Sequence, residues 1–318
     1  MPLSNAFLLG DSPVARWLVE NSPVAIPFLD YWAWQGVDGQ SLTYPRATEL
    51  TPASVKSDCT EVTEALPTVS QATFSLLDFI ARYAICGVDL DRVQFPTQLD
   101  AARYAIAKRQ VLYAYAQWIV NTATGLVTLC DASRIVDMAA GALTLDCLDD
   151  AYERVVAGTG RPTLIMSSKR GLRTYRSLCR AAGFKPEREP WTWYHPDKRR
   201  MGPGSVDSFN GTPWLVNDFI NKSGLDGEYI YFMVTGDDGG KGPTRGVTGI
   251  LPRQQMSNPF NKRVVQGIYN PDAGGPGSPG MQPGIDVWVS MPAGVAVGSQ
   301  GALSIIRNFT TVADCGGG

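Results

Sequence analysis

The chain has one histidine, His195, in 318 residues, and its six cysteines, Cys59, Cys86, Cys130, Cys147, Cys179 and Cys315, include no CxxC pair. A zinc site needs a closer set of ligands than this, and scattered cysteines behave as small buried hydrophobes. No GxSxG motif is present for His195 to serve, so it reads as an ordinary loop residue. Long apolar runs are absent too. No window of about 18 uncharged apolar residues occurs, and the N-terminal stretch lacks a basic start and is interrupted by Asp11, Arg16 and Glu20. A membrane span and a secretion signal are therefore not expected. Charge is scarce: 18% of residues are charged against 44% hydrophobic, with a net charge of -2. That balance excludes a global pull toward nucleic acid, and it implies that an unusual share of the surface is buried against partners.

Two motifs that suggest chemistry do not survive inspection. In "GDDGGKGPTRG", from Gly236 to Gly246, three residues separate Gly236 from Gly240 where a phosphate loop needs four, and Gly242 follows the lysine. The segment reads as a surface turn. Paired carboxylates occur at Asp149 with Asp150 and at Asp237 with Asp238. Neighbours on a helix point about 100° apart, so the first pair suits a helix N-terminus better than acid–base work. A soluble hydrolase, the alternative from another functional class, lacks a constellation to do its work.

What is present is architecture. The stretch "TQLDAARYAIAKRQVLYAYAQWIVN", 97–121, predicts a helix about 36 Å long that begins beside Pro96. Leu99, Ala102, Ile106, Tyr113 and Val120 mark one apolar stripe, and Tyr104, Val111, Tyr115 and Trp118 another, so packing on two sides is expected. A second helix begins at the N-cap Thr144 and stops at Gly158, with Leu145, Leu148, Tyr152 and Val155 facing the core. A strand follows around Leu164 to Met166, and then a helix capped by Ser167 or Ser168 and closed by Gly183.

Before the long helix, residues 1–40 read as an arm, and 41–85 as a long hairpin of two extended, Thr- and Val-rich segments. After residue 205 the pattern is strand and turn, including "FNGTPWLVNDFI" with its Asn210-Gly211 turn. Residues 252–284 are rich enough in Gly and Pro to read as an exposed loop. Lys169, Arg173, Arg176 and Arg180, at offsets of four, seven and eleven, share one helical face. That pattern fits a solvated face as well as one that meets phosphate or an acidic partner.

The order of these pieces resembles the Hong Kong 97 fold of tailed-bacteriophage major capsid proteins. The phrases that carry the resemblance are the central segment from Ala132 to Gly183, then "FNGTPWLVNDFI", "EYIYFMVTGDDGGKGPTRGVTGIL" and "GIDVWVSMPAGVAVGSQGALSIIRNF". The resemblance implies an α+β fold with an N-terminal arm at 1–40 and an extended E-loop hairpin at 41–85. It also implies a peripheral domain at 86–129 and 285–318 with its spine helix at 97–121, and an axial domain at 130–284 that includes the loop 252–284.

It further implies no catalytic residue, cofactor or metal. The function implied is self-assembly into hexamers and pentamers of an icosahedral shell around double-stranded DNA, in a virion assembled in the bacterial cytoplasm. Implied partners are other copies of the chain, a portal, a scaffolding protein, a decoration or cement protein, and DNA held non-specifically. Because Met1 leads almost directly into the arm, the scaffold is expected as a separate protein. Lys169, Arg173, Arg176 and Arg180 become a DNA-facing or intersubunit surface, and Tyr44, Arg46 and Lys56 become hairpin contacts. Some members of the family join subunits through Lys–Asn bonds. Lys56 and Asn308 fit that chemistry by type, but no carboxylate in an apolar niche is evident to accept the proton, so cross-linking is not expected. A bacterial encapsulin shell is the alternative within the same fold.

Overall fold

The computed structural model describes residues 33–47, 69–86, 96–121, 123–157, 160–192, 203–220, 228–235, 246–256, 258–268 and 283–311. The organising element of the first layer is α1, Pro96–Ile119. It buries Ala107, Val111, Tyr115, Ala116 and Ile119, which recur at helical spacing along one face, and Val120 just beyond its end is buried with them. Of the two expected stripes, the one carrying Val111, Tyr115 and Trp118 is the core side. On the other expected stripe Ile106 is exposed, but Tyr113 meets Phe219 at 5.6 Å and Val120 is buried, so the helix is also in contact away from the first sheet.

That side lies on a five-stranded sheet built from β1 (Trp34–Val37), β4 (Leu77–Cys86), β11 (Val247–Pro252), β12 (Asn261–Ile268) and β13 (Pro283–Val297). β13 is antiparallel to β4, β11 and β12, and β1 joins β11 in parallel. Tyr115 fixes the helix to the sheet twice: its hydroxyl donates to the Gly294 carbonyl at 3.0 Å, and Phe79 meets its ring edge-on at 5.4 Å.

The second layer is a seven-stranded sheet in the order β5 (Ile135–Asp137), β14 (Leu303–Phe309), β10 (Glu228–Met233), β6 (Leu164–Ser167), β9 (Thr212–Val216), β8 (Pro203–Phe209) and β7 (Glu187–Thr192). β10 and β6 are buried along their whole length, as central strands covered on both faces must be. Against this sheet pack α3 (Leu145–Glu153) and α4 (Lys169–Ala181), while the short α2 (Leu126–Leu129) follows the long helix. Both caps match the sequence reading: Thr144 accepts from the Cys147 amide, and Ser168 accepts from the Gly171 amide. Gly183, with φ of 83°, closes α4.

Between β8 and β9, Asn210 and Gly211 have φ of 50° and 76°, the left-handed pair that a two-residue hairpin turn requires. The strand that follows is anchored by Trp214, which stacks on Tyr175 at 4.6 Å and donates its indole N–H to Ser167 at 2.7 Å. Asn217 is buried just past the strand. Its amide donates to the Ala116 carbonyl of α1 at 3.4 Å, and its side-chain oxygen accepts from the Phe219 amide. Asn217 thus ties the second sheet to α1, and the polar residues of "FNGTPWLVNDFI" serve folding.

Three expectations change. Residues 252–284 are not loop throughout: 261–268 form β12, because edge pairing with β13 satisfies the backbone of a segment whose side chains at 261–265 are exposed. The expected hairpin of 41–85 divides at Leu76. β2 (Ser41–Ala47) and β3 (Val69–Ser75) form a two-stranded ribbon, whereas 77–86 belong to the first sheet. Sheet membership also crosses the expected boundary at 285, since β11 and β12 sit in the layer with α1 and β14 sits in the layer with α3 and α4. A sheet assembled from distant segments cannot be partitioned by sequence position.

Candidate assembly surfaces

Alternation along β13 decides what the first sheet shows to its surroundings. Val287, Val289, Met291 and Ala293 are buried beneath α1, together with Phe79, Ala81 and Ile85 of β4. The intervening residues therefore point to the opposite face, which no described residue covers with a helix. There the register sets Arg82, Trp288 and Arg263 in one row, Ile80, Ser290 and Asn261 in the next, and Ala84, Asp286 and Val265 in a third. Ile80, Val265 and Trp288 are 54%, 42% and 38% exposed, so this face presents apolar side chains to its surroundings.

The centre of this face is rigid. Arg82 donates through Nε to both oxygens of Asp286, at 2.9 and 3.0 Å, and Trp288 donates to Asp286 Oδ2. The guanidinium also lies over the indole ring, 5.2 Å from its centroid. An aromatic and an arginine locked in one conformation are the usual anchors of a protein contact. The signal in the sequence is the alternation of "GIDVWVSM", whose polar-side tryptophan is the residue that sequence reasoning passed over.

The edge of the same layer is held electrostatically. Asp100 at the start of α1 accepts from Tyr83 at 2.7 Å and from Lys262 of β12. Burial works against the Asp100 carboxylate, but the hydrogen bonds from Lys262 and Tyr83 outweigh it and hold its pKa below the usual value. Burial and the Asp100 contact push the Tyr83 phenol up. Tyr104 lies between Lys108 and Lys262, whose ammonium groups are 4.7 and 5.1 Å from the ring centroid.

The sequence-derived basic face is found on α4 and is partly neutralised by its own chain. Lys169 pairs with Asp218 at 2.7 Å, and Arg176 pairs with Asp207, which is buried and also faces Arg188 at 3.6 Å. Arg180 is exposed and donates to the Arg176 carbonyl at 3.2 Å, while Arg173 is half-buried. Asp149 and Asp150 lie exposed on α3, where Asp150 is held by Arg154 and Asp149 accepts from Asn210 at 3.1 Å. Tyr44 and Arg46 are in β2, opposite Ala72 and Ser70. Lys56, His195, Asp237 and Asp238 lie outside the described residues.

Among the described residues, no group of His, Cys, Asp and Glu is placed to hold a metal, and no helix is long and apolar enough to cross a membrane. The described free thiols are Cys130, Cys147 and Cys179, and burial pushes the Cys130 thiol up to about 12, away from nucleophilic chemistry.

No family model matches the sequence, and no curated protein matches it. Solved structures do match over nearly the whole chain. A holo-SrpI encapsulin complex from Synechococcus elongatus aligns with a TM-score of 0.62 at 16% identity, covering 96% of this chain and 99% of its own. A protein of Mycobacterium phage Adephagia aligns at 0.60 with 10% identity, over 99% and 100%. The capsid of a native GTA particle aligns at 0.58 with 16% identity, over 91% of each chain. The chain has the Hong Kong 97-type shell fold. Within that fold the neighbours are capsid and shell proteins, which are structural rather than enzymatic.

Proposed function

We propose that the chain is a major capsid protein of a tailed bacteriophage, whose copies form hexamers and pentamers and close an icosahedral shell around double-stranded DNA. The observation that carries this reading is the match in fold, over 91% or more of the chain, to an encapsulin complex and a GTA capsid. The open face around Trp288 supports it, because a subunit whose neighbours complete its burial needs such a face. In this reading the E-loop hairpin, with Tyr44, Arg46 and Lys56, and the arm at 1–40 reach onto adjacent copies. Residues 86–129 and 285–318 serve as the peripheral domain and 130–284 as the axial domain, subject to the exchange of strands described above. A scaffolding protein and a portal act during assembly in the host cytoplasm, and a decoration protein binds the finished shell.

The encapsulin reading has a specific observation in its favour, the holo-SrpI complex at a TM-score of 0.62. Nuclease treatment of native particles, followed by extraction, separates the two. Protected double-stranded DNA is the expected result; shells that hold a protein cargo and no DNA would replace the capsid reading with the encapsulin one.

A further inference from the structure

The parallel pairing of β5 with β14 is interrupted. It holds register from Ile135 with Ile305 to Asp137 with Arg307 and resumes at the bridge between Ala142 and Thr310, so the four residues 138–141 stand opposite the two residues 308–309. The surplus forms a bulge. Its backbone is strained: Ala139 and Ala140 have φ of 47° and 65°, and Asn308 across from them has 58°. These are three of the four non-glycine left-handed residues among the described ones, and the fourth is Asn210 in its hairpin turn. Both alanines are exposed, so burial of their methyl groups does not explain why glycine, which takes that conformation freely, is not there.

One carboxylate holds the bulge shut. Asp137 Oδ1 accepts from the Ala139 amide and from the Asn308 side chain, both at 3.0 Å, and Oδ2 accepts from Arg307 at 2.9 Å. The backbone adds two bonds across the gap, from the Ala140 amide to the Asn308 carbonyl at 2.7 Å and from the Thr310 amide to the Gly141 carbonyl at 2.9 Å. Just beyond the bulge Leu143 is buried and α3 begins, packed on β14 and β5. The bulge is therefore slack in the tether that joins β5 to the helix riding on it.

We propose that residues 138–141 are a joint with two settings: the strained one, held by Asp137, and a relaxed one in which Ala139 and Ala140 leave the left-handed region and α3 shifts along β14. This rests on the shell reading above, in which identical chains fit both five-fold and six-fold rings. A chain that fits both needs an element with two arrangements close in free energy. Strain opposed by a few exposed hydrogen bonds supplies such a balance, because each is small.

Ala139→Gly with Ala140→Gly removes the strain and leaves Asp137 in place. The unassembled subunit is expected to melt about 2 °C or more above wild type. With the strain gone, the setting held by Asp137 is favoured about tenfold or more in each copy, so the yield of closed shells is expected to fall at least about tenfold. In wild-type shells, cryo-electron microscopy is expected to show Ala139 and Ala140 left-handed in the copies of one ring type and not in those of the other. An unchanged melting temperature, one backbone conformation in every copy of the wild-type shell, or closed shells of the glycine variant at wild-type yield would each overturn the proposal. A wild-type protein that forms no shell would defeat the shell reading and the joint with it, whereas shells with one setting throughout would defeat the joint alone.

Discussion

Trp288 donates its indole N–H to Asp286 Oδ2 over 3.1 Å, and that carboxylate is held in turn by Arg82, so the most exposed aromatic of the open sheet face is also one of its most fixed side chains. A free subunit gains little from this arrangement, because the ring stays partly in water. A neighbouring copy that covers it gains a preorganised anchor. Trp288→Ala is expected to leave the melting temperature of the unassembled subunit within a few degrees of wild type while weakening the intersubunit contact by about 2 kcal/mol or more. Sedimentation velocity at matched protein concentration checks this, and unchanged shell yield would show that the face is not a contact.

The turn at Asn210 and Gly211 gives a second test. Gly211 has φ of 76°, where a β-branched residue is strained by roughly 1–3 kcal/mol. Gly211→Val should therefore lower stability and the yield of assembly-competent protein, whereas Gly211→Asn, which tolerates that conformation, should come close to wild type. Equal melting temperatures for the two variants would contradict this account of the turn.

Acid should loosen the first layer through Asp100. Its folded pKa is depressed, so the unfolded chain binds the proton more readily, and the stability contributed is present above the ordinary carboxylate value of about 3.9 and lost as pH falls through the folded value. Wild type should melt higher than Asp100→Asn at neutral pH, and the gap should close on acidification. A gap that is constant with pH would mean that the ion pair with Lys262 is not the source.

Covalent joining through Asn308 is not expected. The carboxylate facing it, Asp137, accepts from the Ala139 amide, from Asn308 at 3.0 Å and from Arg307, and these contacts hold its pKa below the usual value. Such a group is a poor proton acceptor for amide-bond formation. Particles boiled in detergent should run as single chains, and a ladder of multimers would show that the chemistry occurs.

The long helix α1, the cap at Ser168, the strand at Leu164 and the Asn210-Gly211 turn were legible because each rests on local physics: helical periodicity, a side chain reaching the next turn's amide, or a backbone angle only a few residues accept. β12 was not legible. "NKRVVQGI" has no clean alternation, its residues 261–265 are exposed on both faces, and the Gly- and Pro-rich stretch after it lowers the apparent strand signal. Its strand state is conferred by β13, which lies beyond that stretch in sequence. The open face was hidden for a related reason: whether Trp288 points inward or outward depends on which side of β13 receives α1. The basic face of α4 was visible by spacing, but its partial neutralisation by Asp207 and Asp218 depends on residues brought in from other strands.

Cryo-electron microscopy of the expressed protein, with its scaffolding protein if one is required, tests the central claim most directly. Closed shells are predicted, with the Trp288 face of each subunit covered by a neighbouring copy. A protein that stays monomeric under every assembly condition tried, or shells in which that face stands open to solvent, would contradict it.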